Sequence, residues 1–129
     1  MQPDSAEAKT RLGAGFFAEG SDGLGIAILK DILVTDPGYE QADILIVLNL
    51  LRRNDVEGAL SAAAEYRDRN PASVTSYNLL GRSYVANEEP DRAKAAFNKA
   101  LLLRPGDPGA SHSLAKFELE AKLYELARR

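Results

Sequence analysis

The chain contains one histidine, His112, and no cysteine. The side chains that most often serve as nucleophile, base or soft metal ligand are therefore nearly absent. Neither a Cys–His pair nor a multi-histidine metal site can be assembled from them. Ser111 and Ser113 flank His112 and supply the residue types of a Ser–His–carboxylate triad. Adjacent helical residues point in different directions, however, and no nucleophile-elbow glycine pattern surrounds them. Gly13-Ala14-Gly15 and Gly20-Ser21-Asp22-Gly23-Leu24-Gly25 have the glycine density of a phosphate loop, yet neither runs on into Gly-Lys-Ser/Thr and no strand precedes them. Asp22, Asp31 and Asp36 lack the alternating spacing of a calcium loop. Glu88, Glu89 and Asp91 sit at a helix start, where negative charge complements the helix dipole. These patterns predict no enzyme, no cofactor and no metal site.

What the sequence has instead is a period. Pro3, Pro37, Pro71 and Pro105 are evenly spaced, the same interval separating each from the next. A fixed period in a chain of 129 residues implies a repeated supersecondary unit, and function then follows from an extended surface and not from one pocket. The composition fits one domain with a modest core: 45% hydrophobic, 27% charged and a net charge of −3. That acidic balance argues against a dedicated nucleic-acid binder, which carries a basic face. The longest apolar run, Ile44 to Leu48, is far shorter than the roughly 20 residues of a membrane span. No basic-then-apolar leader follows Met1.

Apolar residues recur at three- and four-residue intervals: Leu12/Phe16, Ile26/Leu29/Leu33, Tyr77/Leu80/Tyr84 and Ala93/Phe97/Ala100. This is helical periodicity, and no run of period two competes with it. Breakers separate the runs at Gly20–Gly23, Asn54-Asp55 and Asn87–Asp91, and each residue before a periodic proline is a natural helix end. The pattern predicts helices near 5–19, 23–36, 40–53, 56–69, 74–87, 90–104 and 108–127. Asp22, Ser73 and Asp107 are the expected N-caps.

The segment from Val74 to Asp107 carries Tyr77, Leu80, Gly81 and Tyr84, then Ala93, Phe97, Ala100 and Pro105. It resembles the tetratricopeptide repeat (TPR), whose pattern is an aromatic, x2-Leu-Gly-x2-Tyr, Ala-x3-Phe and a closing Pro. That family's repeat length, about 34 residues, is also the interval between the periodic prolines. A degenerate copy one interval earlier matches at Asp43, Ile46, Val47, Leu50, Ala59, Ala63, Tyr66 and Pro71. A third offers Lys9, Leu12, Gly13, Phe16, Gly25, Leu29, Ile32 and Pro37. The resemblance implies an all-α, right-handed α-solenoid of seven helices in one domain spanning 1–129. Its repeats are 6–39, 40–73 and 74–107, with a C-terminal capping helix over 108–129.

Within a repeat, Gly81 and Gly13 take the small position of the first helix, and Phe97 fills the space opposite Gly81 between Ala93 and Ala100. In the middle repeat Val47 replaces the glycine while Ala63 replaces the large residue, which conserves volume at one contact. On the last helix Leu114, Phe117, Ala121 and Leu126 are expected to face inward. The expected outer face carries Glu118, Glu120, Lys122, Glu125, Arg128 and Arg129. Leu119 and Leu123 extend the apolar surface, so this helix also reads as the first helix of a fourth repeat.

In TPR proteins the first helices line a concave groove. The resemblance places Phe17, Ile44, Leu48, Leu51, Asn78, Arg82, Val85, His112 and Lys116 on it. Ile44, Leu48 and Leu51 read either as packing against adjacent helices or as an apolar strip for a partner helix or extended segment. Asn78, Arg82, His112 and Lys116 form a polar, partly basic wall suited to a backbone or a carboxylate. A TPR subclass that clamps acidic chaperone tails uses Lys and Asn on the first helix. Thr10, Ala14 and Ile44 stand in the corresponding places here, which argues against that ligand. Residues 40–120, through the NLLG, AKAAFNKAL and SLAKFEL stretches, are also similar to the TPR lipoproteins that accompany the bacterial PEP-CTERM/exosortase system. Those are exported proteins linked to exopolysaccharide production, so this resemblance implies a periplasmic fragment; without it the expected location is cytoplasmic. The expected function is a protein-interaction scaffold that binds a peptide or partner helix, with no nucleic acid and no membrane insertion. The alternative is a self-assembly module that forms homo-oligomers through exposed terminal helices, with Leu119, Leu123 and Tyr124 as its contacts.

Overall fold

The computed structural model describes residues 5–128; Pro3 and Arg129, used above, lie outside the described residues. The described residues form seven helices and no strand. They are α1 (Ala6–Ala18), α2 (Asp22–Thr35), α3 (Glu40–Arg52), α4 (Val56–Arg69), α5 (Val74–Ala86), α6 (Pro90–Leu103) and α7 (Pro108–Arg128).

Two kinds of turn alternate, and each recurs with the period of the prolines. Within a helix pair the chain reverses through Gly20, Asn54 and Glu88, all at positive φ (84°, 61° and 59°). The following amide then donates back across the helix end: Ser21 to Phe16, Asp55 to Leu50 and Glu89 to Tyr84, at 2.8, 2.9 and 3.0 Å. This is the Schellman arrangement, in which a left-handed residue lets the chain satisfy the last helical carbonyls. Between pairs the helix stops at Asp36, Asn70 and Arg104, where φ moves to −137°, −134° and −142°. Proline follows each and cannot continue the helix. A tight turn closes when Tyr39, Ser73 and Asp107 donate to Asp36, Asn70 and Arg104 at 3.1, 2.9 and 3.1 Å.

Capping agrees at two of the three expected positions. The Ser73 hydroxyl accepts from the Ser76 amide at 3.2 Å, and Asp107 accepts from Ala110 at 3.0 Å. Asp22 is instead the first residue of α2, after Ser21. Its carboxylate reaches sideways to accept from Asn49 Nδ2 at 3.0 Å and to pair with Arg53 at 3.5 Å. Ser5 and Asp55 cap α1 and α4 by accepting from Ala8 at 3.1 Å and Gly58 at 3.0 Å.

Each helix packs on the next, and α1, α3, α5 and α7 also touch in succession, whereas α2, α4 and α6 do not touch one another. Helices more than two apart make no contact. The result is an open, curved row: the odd helices crowd together on the inner side and the even ones splay outward. The fold is an all-α solenoid of helix–turn–helix units.

Small residues set the approach within pairs. A β-carbon on Gly81 would meet the Phe97 ring at 2.5 Å, and one on Gly13 would meet Leu29 at 3.0 Å. In the first pair the arrangement is also inverted, because Phe17 of α1 lies on Gly25 of α2, where a β-carbon would stand 2.4 Å from the ring. Val47 and Ala63 are both fully buried in the same cluster as Tyr66, Leu79 and Leu80. Their complementary volumes fill the site that glycine and a large side chain fill in the flanking units.

Polar groups knit the units together. The buried Tyr66 hydroxyl donates to Glu40 at 2.6 Å, and Ser73 donates to the same oxygen at 2.5 Å, which ties α3 and α4 to the start of α5. Burial, reinforced by Glu40, pushes the Tyr66 hydroxyl well above the usual phenol range. Asp43 occupies the place of the repeat's aromatic. It is 2% exposed, one oxygen pairs with Arg69 of α4, and the other, Oδ2, has no partner. Burial pushes this carboxyl up to about 6 against the opposing pull of Arg69.

The last helix departs from the expected cap. Leu114 and Phe117 are half-buried against the row, but Ala121 and Leu126, expected to face inward, are exposed, Leu126 by 61%. α7 has 21 residues against 13 for α5, so its C-terminal half runs past the helices it packs on.

Candidate functional site

On α5, Asn78, Arg82 and Val85 follow one another at intervals of four and three, which puts them on one stripe of the helix. On α7, His112 and Lys116 form the matching stripe. Because α5 and α7 touch directly, the two stripes face each other across a cavity of about 460 Å³. Phe97 of α6 and Phe117 of α7 supply its apolar lining.

The electrostatics are one-sided. Arg82 and Lys116 make no ion pair among the described residues, and Glu120 is the only acidic side chain on the lining. Asn78 is wedged between the helices; a β-carbon on Gly109 would stand 3.2 Å from its Nδ2. Its Oδ1 is buried without a hydrogen-bond partner, an unmet demand that a donor from a ligand backbone could satisfy. The cavity therefore combines an apolar floor, two cations without an ion pair and a buried amide oxygen with its hydrogen-bonding demand unmet. This combination suits an extended acidic segment far better than it suits bond-making chemistry.

The remaining expected groove residues lie elsewhere. Phe17 is half-buried against α2, Ile44 packs on the central cluster, and Leu51 packs on both core clusters. Leu48 is the most open of the middle strip, at 37% exposure. The strip is thus largely occupied in joining units, while Asn78, Arg82, Val85, His112 and Lys116 come together at one cavity. Ser113, Phe117 and Glu120, spaced by four and three on the next stripe of α7, also line it. That spacing is visible in the sequence, but the groove positions carried over from the family sample only the His112 stripe.

Among the described residues there is no group of three or more metal-ligating side chains, and no helix is long and apolar enough to cross a membrane.

No known protein-family profile matches the chain, and no curated protein matches it. Solved structures do. The chain is similar to the first TPR of Spaghetti (RPAP3) bound to the HSP90 peptide SRMEEVD, at 18% identity and a TM-score of 0.74, covering 95% of this chain and 97% of that one. It is similar to the second TPR domain of human RPAP3 in complex with the HSP70 peptide SGPTIEEVD, at 21% identity and 0.74, covering 88% and 94%. A third similar structure is MamA from Desulfovibrio magneticus RS-1, at 20% identity and 0.72, covering 97% and 71%. With its seven helices, periodic turns and glycine–aromatic packing, the chain has the tetratricopeptide-repeat fold.

Proposed function

We propose that the chain is a non-enzymatic protein-interaction scaffold of three repeats (6–39, 40–73 and 74–107) and a last helix over 108–129. It binds a partner segment between α5 and α7. The single observation that carries this reading is that Arg82 and Lys116, two cations without an ion pair, share the lining of the 460 Å³ cavity with one carboxylate, Glu120. The ligand class they select is an extended acidic peptide, with Asn78 engaging its backbone and Val85, Phe97 and Phe117 receiving an apolar side chain. The two RPAP3 structures hold peptides that end in Glu-Glu-Val-Asp. They show what this fold can accommodate; Thr10 and Ala14 on α1 and Ile44 on α3 argue against the same mode of capture in this chain.

The test is fluorescence anisotropy with acidic and basic nonamer peptides of matched apolar content. Preferential binding of the acidic set, lost in the double variant Arg82→Glu/Lys116→Glu with circular dichroism unchanged, is the expected result. Equal affinity for both sets, or binding that survives the double variant, rejects the site. Leu48→Glu reports whether the middle strip extends the contact.

The narrower assignment, to exopolysaccharide export and protein sorting in a bacterial periplasm, rests on the similarity of residues 40–120 to the PEP-CTERM-associated lipoproteins. A parent reading frame without an export leader or a lipid-accepting cysteine would remove it.

A second reading is favoured by α7 itself, where Leu119, Leu123, Tyr124 and Leu126 are 58%, 56%, 65% and 61% exposed. Apolar side chains in such density on one helix end support self-assembly. Light scattering over a concentration series decides it, since a strict monomer excludes this reading.

A further inference from the structure

The outer face of the row carries a second cleft. α2 and α4 do not touch, and α3 packs against both, so α3 floors an opening between them. Two cavities of about 250 and 310 Å³ lie there side by side, with Lys30, Ile46, Ala62 and Glu65 lining both. Asp43 lines the first of them, with its side chain 2% exposed and its Oδ2 lacking any donor.

The fold does not require that carboxylate. One repeat further along, between α4 and α6, Tyr77 takes the place of Asp43, Leu80 that of Ile46, Ala96 that of Ala62 and Lys99 that of Glu65. The same backbone thus builds a cleft with an aromatic floor and a basic rim, and that residue set matches the repeat pattern best. Placing a carboxylate at the aromatic position costs desolvation that Arg69 offsets only at Oδ1. A buried acid with half of its hydrogen-bonding capacity unmet, beside an open cleft, is the signature of a site.

We propose that the α2–α4 cleft binds a lysine side chain of a partner protein, its ammonium donating to Asp43 Oδ2 and its aliphatic stem lying on Leu33, Ile46 and Ala62. The choice of ammonium over guanidinium follows from geometry. A guanidinium binds best across two free carboxylate oxygens, and Arg69 already takes one, whereas an ammonium is a point donor that needs a single acceptor. On the rim Glu65 attracts a cation and Lys30 opposes it, so the selection rests on the unmet Oδ2 of Asp43. Arg69 has a long arm with 29% of its side chain exposed, and binding requires it to yield room beside Oδ2 while it keeps its pair with Oδ1. This site is independent of the α5–α7 groove.

Nα-acetyl-lysine-methylamide, titrated into the full chain and followed by amide chemical shifts in NMR, tests the proposal. Saturable shifts at Ile46 and Ala62, with none at Arg82 or Lys116, are expected. They should weaken on the order of tenfold with the arginine analogue or in Asp43→Asn, and disappear when the probe's Nε is acetylated. Should Asp43→Asn fail to fold, Ala62→Leu blocks the cleft without touching the carboxylate and should abolish the shifts. Absence of saturation, equal response to the Nε-acetylated probe, or binding undiminished in either variant overturns the assignment.

Discussion

The Phe97 ring lies so close to Gly81 that a single added carbon would stand 2.5 Å from it. Phe97 is 1% exposed and shares a buried face of α6 with Ala93, Ala96 and Ala100, so moving the ring aside disturbs a packed contact. Gly81→Ala therefore overpacks the α5–α6 contact. The clash outweighs the alanine's better helix propensity, and unfolding in urea should show a loss of about 1–3 kcal/mol. Unchanged or increased stability contradicts a fixed ring.

Val47 stands where glycine stands in the neighbouring units, and it is fully buried with Ala63. Val47→Gly leaves a void with nothing large opposite to fill it. The expected loss is about 1–3 kcal/mol in thermal or chemical denaturation. An unchanged melting temperature argues that the two positions do not compensate each other.

Glu88 holds φ at 59° in the turn where the first unit has Gly20 and the second has Asn54. A β-carbon makes that conformation costly for glutamate, less so for asparagine and least for glycine. Glu88→Gly should stabilise the chain by about 0.5–1 kcal/mol, read from the denaturation midpoint. Destabilisation would mean that the turn owes its form to the glutamate side chain.

Asp43 predicts an unusual pH dependence. Its folded-state value of about 6 lies above the ordinary carboxyl value because burial disfavours the charge. Between roughly pH 4 and 6 the folded state therefore binds more protons than the unfolded one, so this group's contribution to stability rises as pH falls through 6. Compared with Asp43→Asn, the natural chain should gain about 1–3 kcal/mol on going from about pH 7.5 to about pH 4.5. A pH-independent difference between the two proteins removes the claim. Lys30, Glu40, Glu65 and Arg69 surround the group and stay constant across that comparison.

The period, the helix count and most helix bounds are legible in the residues alone, because Pro37, Pro71 and Pro105 stop helices locally wherever they stand. The Gly81–Phe97 contact is legible as well, since that pairing is a matter of size at a constant spacing. Packing between helices settles what spacing cannot encode. Asp22 has the residue type of a cap, but α3 brings Asn49 and Arg53 within reach, and side-chain partners from another helix outcompete the local role. Ile44 and Leu51 stand one repeat before Asn78 and Val85, yet they pack on the core clusters while Asn78 and Val85 line the cavity between α5 and α7. Among the described residues α7 packs on α5 and α6 alone. The open cavity between α5 and α7, the exposed leucines at the end of the row and the unmet oxygen of Asp43 all follow from which helices touch, and contact between distant segments is set only when the chain packs.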